Sequence, residues 1–349
     1  MSIINQSLTI QQSTTEKKLM TTIRRGLPMV LLTLAPLAMS APNIANTAHA
    51  AESATTASSS DNSHLAKKIT PKSWRNISVD ALPENIRNRT KVAVSNYPLY
   101  LLSQAVTKGA PDATLLLDPG DVGHHGSLSP GDMKNVRDSR YVVWFGNELE
   151  SNLVKSLGGS ANSISLFELN VFNRQPLRDV KGEPIKDTLD PHIWLDPDNA
   201  KAITRALGAI FSRANPQYKA LYADNVRQFA QQMDEAVRQS QLKASTEQPY
   251  WAYHDAFHYI EPTLRLNMVG ALTTDHHLPP KASQFHWLRQ NRPKPKMCMV
   301  LQTDSNQGVL SKLKPVTSTI QQEDMSGSDD FLSGWRSLAQ DINQCIGRG

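Results

Sequence analysis

Cysteine is nearly absent: Cys298 and Cys345 are the only two in the chain, and they do not form a CxxC pair. Two thiolates so far apart support a cysteine zinc site weakly. In an exported chain an even count favours one disulfide, here tying the C-terminal segment to a strand. Long apolar runs are also missing. The stretch that follows Arg24 and Arg25 contains Pro28 and Pro36 and is short for a membrane span, which argues against a retained anchor helix. No cysteine follows that stretch, so a lipid-anchored form has no attachment point. Net positive charge outside the first residues is small. The formal charge is +5, but residues 1–50 hold Lys17, Lys18, Arg24 and Arg25 against Glu16, so +3 belongs to them and about +2 to the rest, and a nucleic-acid partner is not indicated.

What is present begins with an export signal. Basic Arg24 and Arg25, an apolar stretch and the small-x-small site Ala48-His49-Ala50 place cleavage after Ala50, with Met20 as an alternative start. Residues 51–90 are rich in Ser, Thr, Ala, Asn and Asp without apolar periodicity, a polar lead-in. From Lys91 short β-like runs alternate with helical segments: KVAVSN, ATLLLD, YVVWFG and SISLFEL, then, after a gap, YWAYH, LNMVGAL, MCMVLQ and PVTSTI. That alternation predicts α/β lobes, each built on a parallel sheet flanked by helices. Ser129 with Pro130 and Asp132 marks a helix start, and a helix is expected over NELESNLVKSLGG, stopping at Gly158. Between the blocks a helix over about Asn199–Arg213 breaks at Asn215-Pro216. A longer one follows to about Leu242, its stripe running through Tyr218, Leu221, Tyr222, Val226, Phe229, Met233 and Val237. The expected organisation is an N-terminal lobe over 91–198, a linking helical segment over 199–245 and a C-terminal lobe over 246–349.

In open parallel sheets ligands bind beyond the carboxyl ends of the strands. His124 follows ATLLLD, His254 closes YWAYH, Asp324 follows PVTSTI, and His192 lies in the loop out of the first lobe. Neutral imidazoles with one open or carboxylate position form an ordinary zinc set. Each residue has a plainer reading: His124 and His125 as solvated loop residues, His192 as a turn residue, and His254 with His258 as an incidental i, i+4 pair on a helix face. His276, His277 and His286 read as surface or packing residues.

The stretches GHHGSLSPGDMKNVRDSRYVVWFGNELESNL, DPHIWLDPDNA, YHDAFHYIE, CMVLQTD and QCIG resemble the cluster A metal-binding proteins of ABC importers, in particular the ZnuA-like zinc binders, from about Lys91 to the C-terminus. The resemblance implies two lobes joined by a long rigid helix with metal in the cleft. It places metal ligation on His124, His192, His254 and Asp324, with water able to replace Asp324. It also fits a bridge between Cys298 and Cys345. The implied role is a monomeric periplasmic carrier that hands Zn2+ to an inner-membrane ABC permease and is not an enzyme. Histidine at position 254 favours zinc, since manganese and iron binders of the family usually carry glutamate there. A manganese or iron binder remains the nearest alternative, and a zinc hydrolase a distant one because the HDAFH pair lacks the glutamate of HExxH. The chain departs from the resemblance in having only VKGEPIKDT where many relatives carry a long His/Asp-rich loop, and Gly123 where some carry an acid.

Overall fold

The computed structural model describes residues 82–121, 127–241, 244–274, 278–303 and 305–348, all within one unit of the chain. The expected export signal, residues 51–81 of the polar lead-in, and His124, His125, His276 and His277 lie outside the described residues.

The first half runs α1 (Glu84–Arg87), β1 (Val92–Val94), α2 (Tyr97–Thr107), β2 (Thr114–Leu115), α3 (Pro130–Asp138), β3 (Tyr141–Trp144), α4 (Val154–Leu157) and β4 (Ser163–Ser165). Two long helices follow, α5 (Pro197–Ala214) and α6 (Lys219–Ser240). The second half runs β5 (Gln248–His254), α7 (Glu261–Leu264), β6 (Leu266–Thr273), α8 (Ala282–Gln290), β7 (Met297–Leu301), β8 (Val316–Ile320) and α9 (Phe331–Gly347). The strands form two parallel four-stranded sheets with the same relative order, β2-β1-β3-β4 and β6-β5-β7-β8. Both central pairs are apolar and covered on both faces, as all-parallel sheets require: every residue of β1, β3 and β7 is buried.

Local chemistry sets the helix starts. Asn96 accepts from Leu99 N–H at the head of α2, and Ser129 and Asp132 form a reciprocal capping box at α3. The Asp196 side chain accepts from the N–H groups of Asp198 and Asn199 at α5. The helix expected over NELESNLVKSLGG is reduced to a 3-10 turn, Ser151–Leu153, and the single turn α4. The reason is Glu150. It is fully buried and folds back to accept from Phe145 N–H at 2.7 Å and from Asn96 Nδ2 at 2.8 Å, so its own segment cannot start a regular helix. A second helix, expected after MCMVLQ, is the 3-10 segment Gln307–Leu313.

Helix α6 has 22 residues, about 33 Å at 1.5 Å per residue. It buries Tyr222, Asn225, Phe229, Met233 and Ala236. Near its start Asn225 Nδ2 donates to the carbonyls of Val106 and Lys108 at the end of α2. At its end the Ser240 carbonyl accepts from Asn343 Nδ2 of α9 at 2.7 Å. One helix is therefore bonded to helices that flank both sheets. Cys298 of β7 and Cys345 of α9 form a disulfide with Cα atoms 5.5 Å apart.

Candidate metal centre

His254 is the last residue of β5, at the carboxyl end of the second sheet. His192 stands just ahead of a 3-10 turn, Ile193–Leu195, whose three residues are buried in the main core. The two imidazole rings lie 5.7 Å apart at 64°. Glu323, in the loop between β8 and α9, completes the group: one donor atom from each of His192, His254 and Glu323 lies within 4.8 Å of the others. All three are withdrawn from solvent, at 1%, 6% and 1% exposure. Donor atoms about 2.0–2.2 Å from a tetrahedral zinc stand about 3.3 Å apart, so a contraction of about 1.5 Å would close the group on an ion.

The orientation of His192 is fixed from behind. Its Nδ1 lies 2.8 Å from Asp190 Oδ1, and its backbone N–H donates to the same oxygen at 3.0 Å. A carboxylate can only accept, so Nδ1 carries the proton and Nε2 presents its lone pair, the arrangement that metal-bound histidines use. Nε2 is buried without a hydrogen-bond partner among the described residues and lies 4.0 Å from Glu323 Oε1. Burial alone would raise the Asp190 carboxyl, but the His192 charge and hydrogen bond outweigh it and hold it well below the usual carboxylate range. Burial likewise pulls His192 down, while Asp190, Glu323 and Asp255 together leave its pKa raised above 6.5. The site without metal thus favours a proton where the ion would sit.

Trp194 ties the two sides together. Its ring meets His192 edge-on at 5.5 Å, and its Nε1 donates to the Glu323 carbonyl at 2.7 Å. Behind His254, Asp255 is held by Arg178, whose Nε and Nη2 donate to Asp255 at 2.8 and 2.7 Å. Two further bonds, at 3.0 and 2.6 Å, run from the same guanidinium to Glu261. The backbone joins this clamp, since Val180 carbonyl accepts from Ala271 N–H of β6 at 2.9 Å. Thus the short VKGEPIKDT segment, which opens at Val180, lies against the second sheet.

Of the residues expected from sequence, His192 and His254 are brought together, and His124 lies outside the described residues. Asp324 is buried but is not in this group. Its Oδ2 accepts from Gly120 N–H at 2.8 Å and its Oδ1 from Ser326 N–H at 2.9 Å, so it ties a loop of the first half to the second. The carboxylate in the group is its neighbour Glu323. The signal that separates them is local: Asp followed two residues on by a bonded N–H is an Asx turn, which uses the aspartate itself. His254 and His258 do not share a helix face, because His254 closes a strand and His258 opens a 3-10 turn. His258 Nδ1 instead approaches Asp190 Oδ2 at 3.7 Å. His286 is exposed on α8.

The comparisons with known proteins give a family and a fold. Residues 92–345 match the family described as zinc-uptake complex component A, periplasmic (ZnuA). The high-affinity zinc uptake system protein ZnuA of Brucella suis biovar 1 (strain 1330) is 22% identical over 318 residues, 74% of this chain and 92% of that protein. Among solved structures, a mutant of the laminin-binding adhesin Lmb from Streptococcus agalactiae superposes with TM-score 0.61 at 16% identity, over 74% of this chain and 99% of Lmb. A Zn(II)-bound variant of AdcAII from Streptococcus pneumoniae superposes with TM-score 0.59 at 21% identity, over 73% of this chain and 99% of AdcAII. With a family match over most of its length and two parallel sheets of the same fold, this chain belongs to the ZnuA family of periplasmic zinc-uptake components.

Proposed function

We propose that the chain captures Zn2+ in the periplasm and delivers it to the membrane permease of an ABC importer, the ion being cargo rather than a resident cofactor. The observation that carries this reading is the buried convergence of His192, His254 and Glu323. Two imidazoles and a carboxylate suit a borderline ion such as zinc better than a hard ion such as manganese, which prefers more oxygen donors. His124 is the proposed fourth ligand. It follows Gly120 by four residues, a reach of at most about 14 Å, and Gly120 is bonded to Asp324 beside Glu323. In this assignment Asp324 positions the loop and Glu323 binds the ion.

The rest of the reading follows the family. The mature chain starts after Ala50 and acts as a monomer. Its lobes span 91–198 and 246–349, with the helices of 199–245 between them. The names of its relatives point to uptake and not to hydrolysis. The experiment is metal analysis of protein purified from the periplasm, followed by competition titration of Zn2+ against Mn2+. One tightly held zinc that manganese does not displace is the expected result. Preference for manganese would overturn the reading.

A further inference from the structure

The second sheet reverses its order between β5 and β7, the position where a parallel sheet opens a crevice beyond its strand ends. β5 delivers His254 to that crevice. The paired registers Trp251 with Met299 and Ala252 with Val300, continued by two residues, set His254 beside Gln302, the residue that follows β7. Side-chain alternation agrees. Cys298 and Val300 lie in the main core with Ala252, whereas Met297, Met299 and Leu301 lie in the second core with Trp251 and Tyr253. A period of two therefore puts Gln302 on the face that carries Ala252 and His254. On the other flank Leu301 pairs with Ile320, and Gln321 N–H donates to the Leu301 carbonyl at 2.8 Å. Gln302 is thus level with Gln321, two residues before Glu323. It stands between the two strand ends that supply the metal donors of this half.

Gln302 is 1% exposed, and neither its Oε1 nor its Nε2 has a hydrogen-bond partner among the described residues. Its backbone is satisfied, the N–H donating to Ser305 Oγ at 3.0 Å, so the deficit is confined to the carboxamide. A buried amide with both ends unmade destabilises the state that contains it, and an apolar side chain of the same size would fill the space at no such cost. The compensation belongs to a state in which the amide is bonded. An ion at His192, His254 and Glu323 changes the partners on offer, because it fixes the tautomer of a coordinated imidazole and polarises its N–H, and a coordinated water brings O–H groups. Asp190 already meets that need for His192, in the first half of the chain.

We propose that Gln302 is a positioning residue of the loaded metal centre: its carboxamide takes up hydrogen bonds with the ligand set only when the ion is bound. The inference rests on the reading that this centre binds zinc. Its signature is a trade between two stabilities. Gln302→Met keeps the volume and removes the unmade bonds, so the metal-free protein should melt a few degrees higher. Its Kd for Zn2+ should weaken about tenfold, the usual effect of losing a group behind a metal ligand. Cobalt substitution adds a readout that packing does not move. The visible bands of the Co2+-loaded protein report the ligand field and should shift in Gln302→Met and in Gln302→Glu.

The wild-type zinc titration comes first, and a wild type that fails to bind zinc overturns the functional reading itself. If wild type binds and Gln302→Met shows the higher melting temperature with unchanged Kd and unchanged cobalt bands, Gln302 is a packing residue and the proposal is wrong. Should Gln302→Met fail to fold, Gln302→Glu, which keeps size and polarity, decides. Cobalt bands identical to wild type overturn the proposal, and shifted bands uphold it.

Discussion

Glu323 and Asp324 are adjacent, both acidic and both buried, yet the proposed assignment gives them separate work, and exchanging each for its amide separates the two. Glu323→Gln removes the charge proposed to meet the ion. Zinc at about 1,000 times Kd stabilises the folded wild type by about 4 kcal/mol. If losing the carboxylate weakens Kd about 100-fold, the upper end for groups merely behind a ligand, the same zinc adds only about 1.4 kcal/mol. At about 2 °C per kcal/mol for a domain of this size, the zinc-induced melting shift drops from about 8 °C to about 3 °C. Asp324→Asn acts on the other quantity. It weakens charged hydrogen bonds to Gly120 and Ser326, about 1.5–3 kcal/mol each, and lowers the melting temperature of the metal-free protein while most of the zinc shift survives. Calorimetric melts of the three proteins with chelator and with zinc give all the numbers. If Asp324→Asn abolishes the shift and Glu323→Gln keeps it, the assignment of the carboxylate is refuted.

Zinc affinity should fall on acidification from above pH 6.5, because the raised pKa of His192 makes protons compete early. The loss is about tenfold per pH unit for that residue alone, and Asp190→Asn should move its midpoint to lower pH in competition titrations. Burial lifts Glu150 to about 7, so the folded state holds its proton more tightly than the unfolded chain at 4.5. This contribution is complete below pH 4.5 and lost as pH rises through 7, costing the metal-free protein about 3 kcal/mol across that window. Urea melts of Glu150→Gln should lack that slope, and an unchanged slope would show that the carboxyl is ionised throughout. Replacing Cys298 and Cys345 by serine opens a loop of 47 residues and should cost about 4 kcal/mol of stability with zinc binding intact. Loss of zinc binding in the refolded double variant would contradict the separation of the bridge from the metal centre.

The alternation of short apolar runs with helical periods was enough to read parallel sheets from the sequence, because strands covered on both faces leave continuous runs such as YVVW and MCMVL. His254 was legible for a different reason: it closes an apolar run at the end of a strand, where such sheets bind ligands, whereas His192, in a loop, was picked out only by the resemblance carried by DPHIWLDP. That Glu323, and not Asp324, lies beside His192 and His254 was not legible by the same rule. Both follow β8, and the loop that turns their side chains apart is irregular, with Met325 at φ 56°. Periodicity carries no information through such a turn, and only the Asx pattern could have assigned the aspartate to the backbone. The helix expected at NELESNLVKSLGG failed because the buried Glu150 carboxylate, which accepts from nearby Phe145 N–H and from distant Asn96 Nδ2, overrode the local preference. A similar limit hid the pairing of Arg178 with Asp255, which joins residues 77 apart in the chain.

The near-complete burial of His192, His254 and Glu323 has a kinetic meaning. An external chelator cannot touch an ion held there until part of the surrounding protein moves aside. The rate of zinc extraction should therefore stop rising once chelator is abundant, and level off at the rate of that opening. In the proposed delivery the permease would act as a catalyst of exchange: it need not bind the ion more tightly than the carrier does, only hasten that opening.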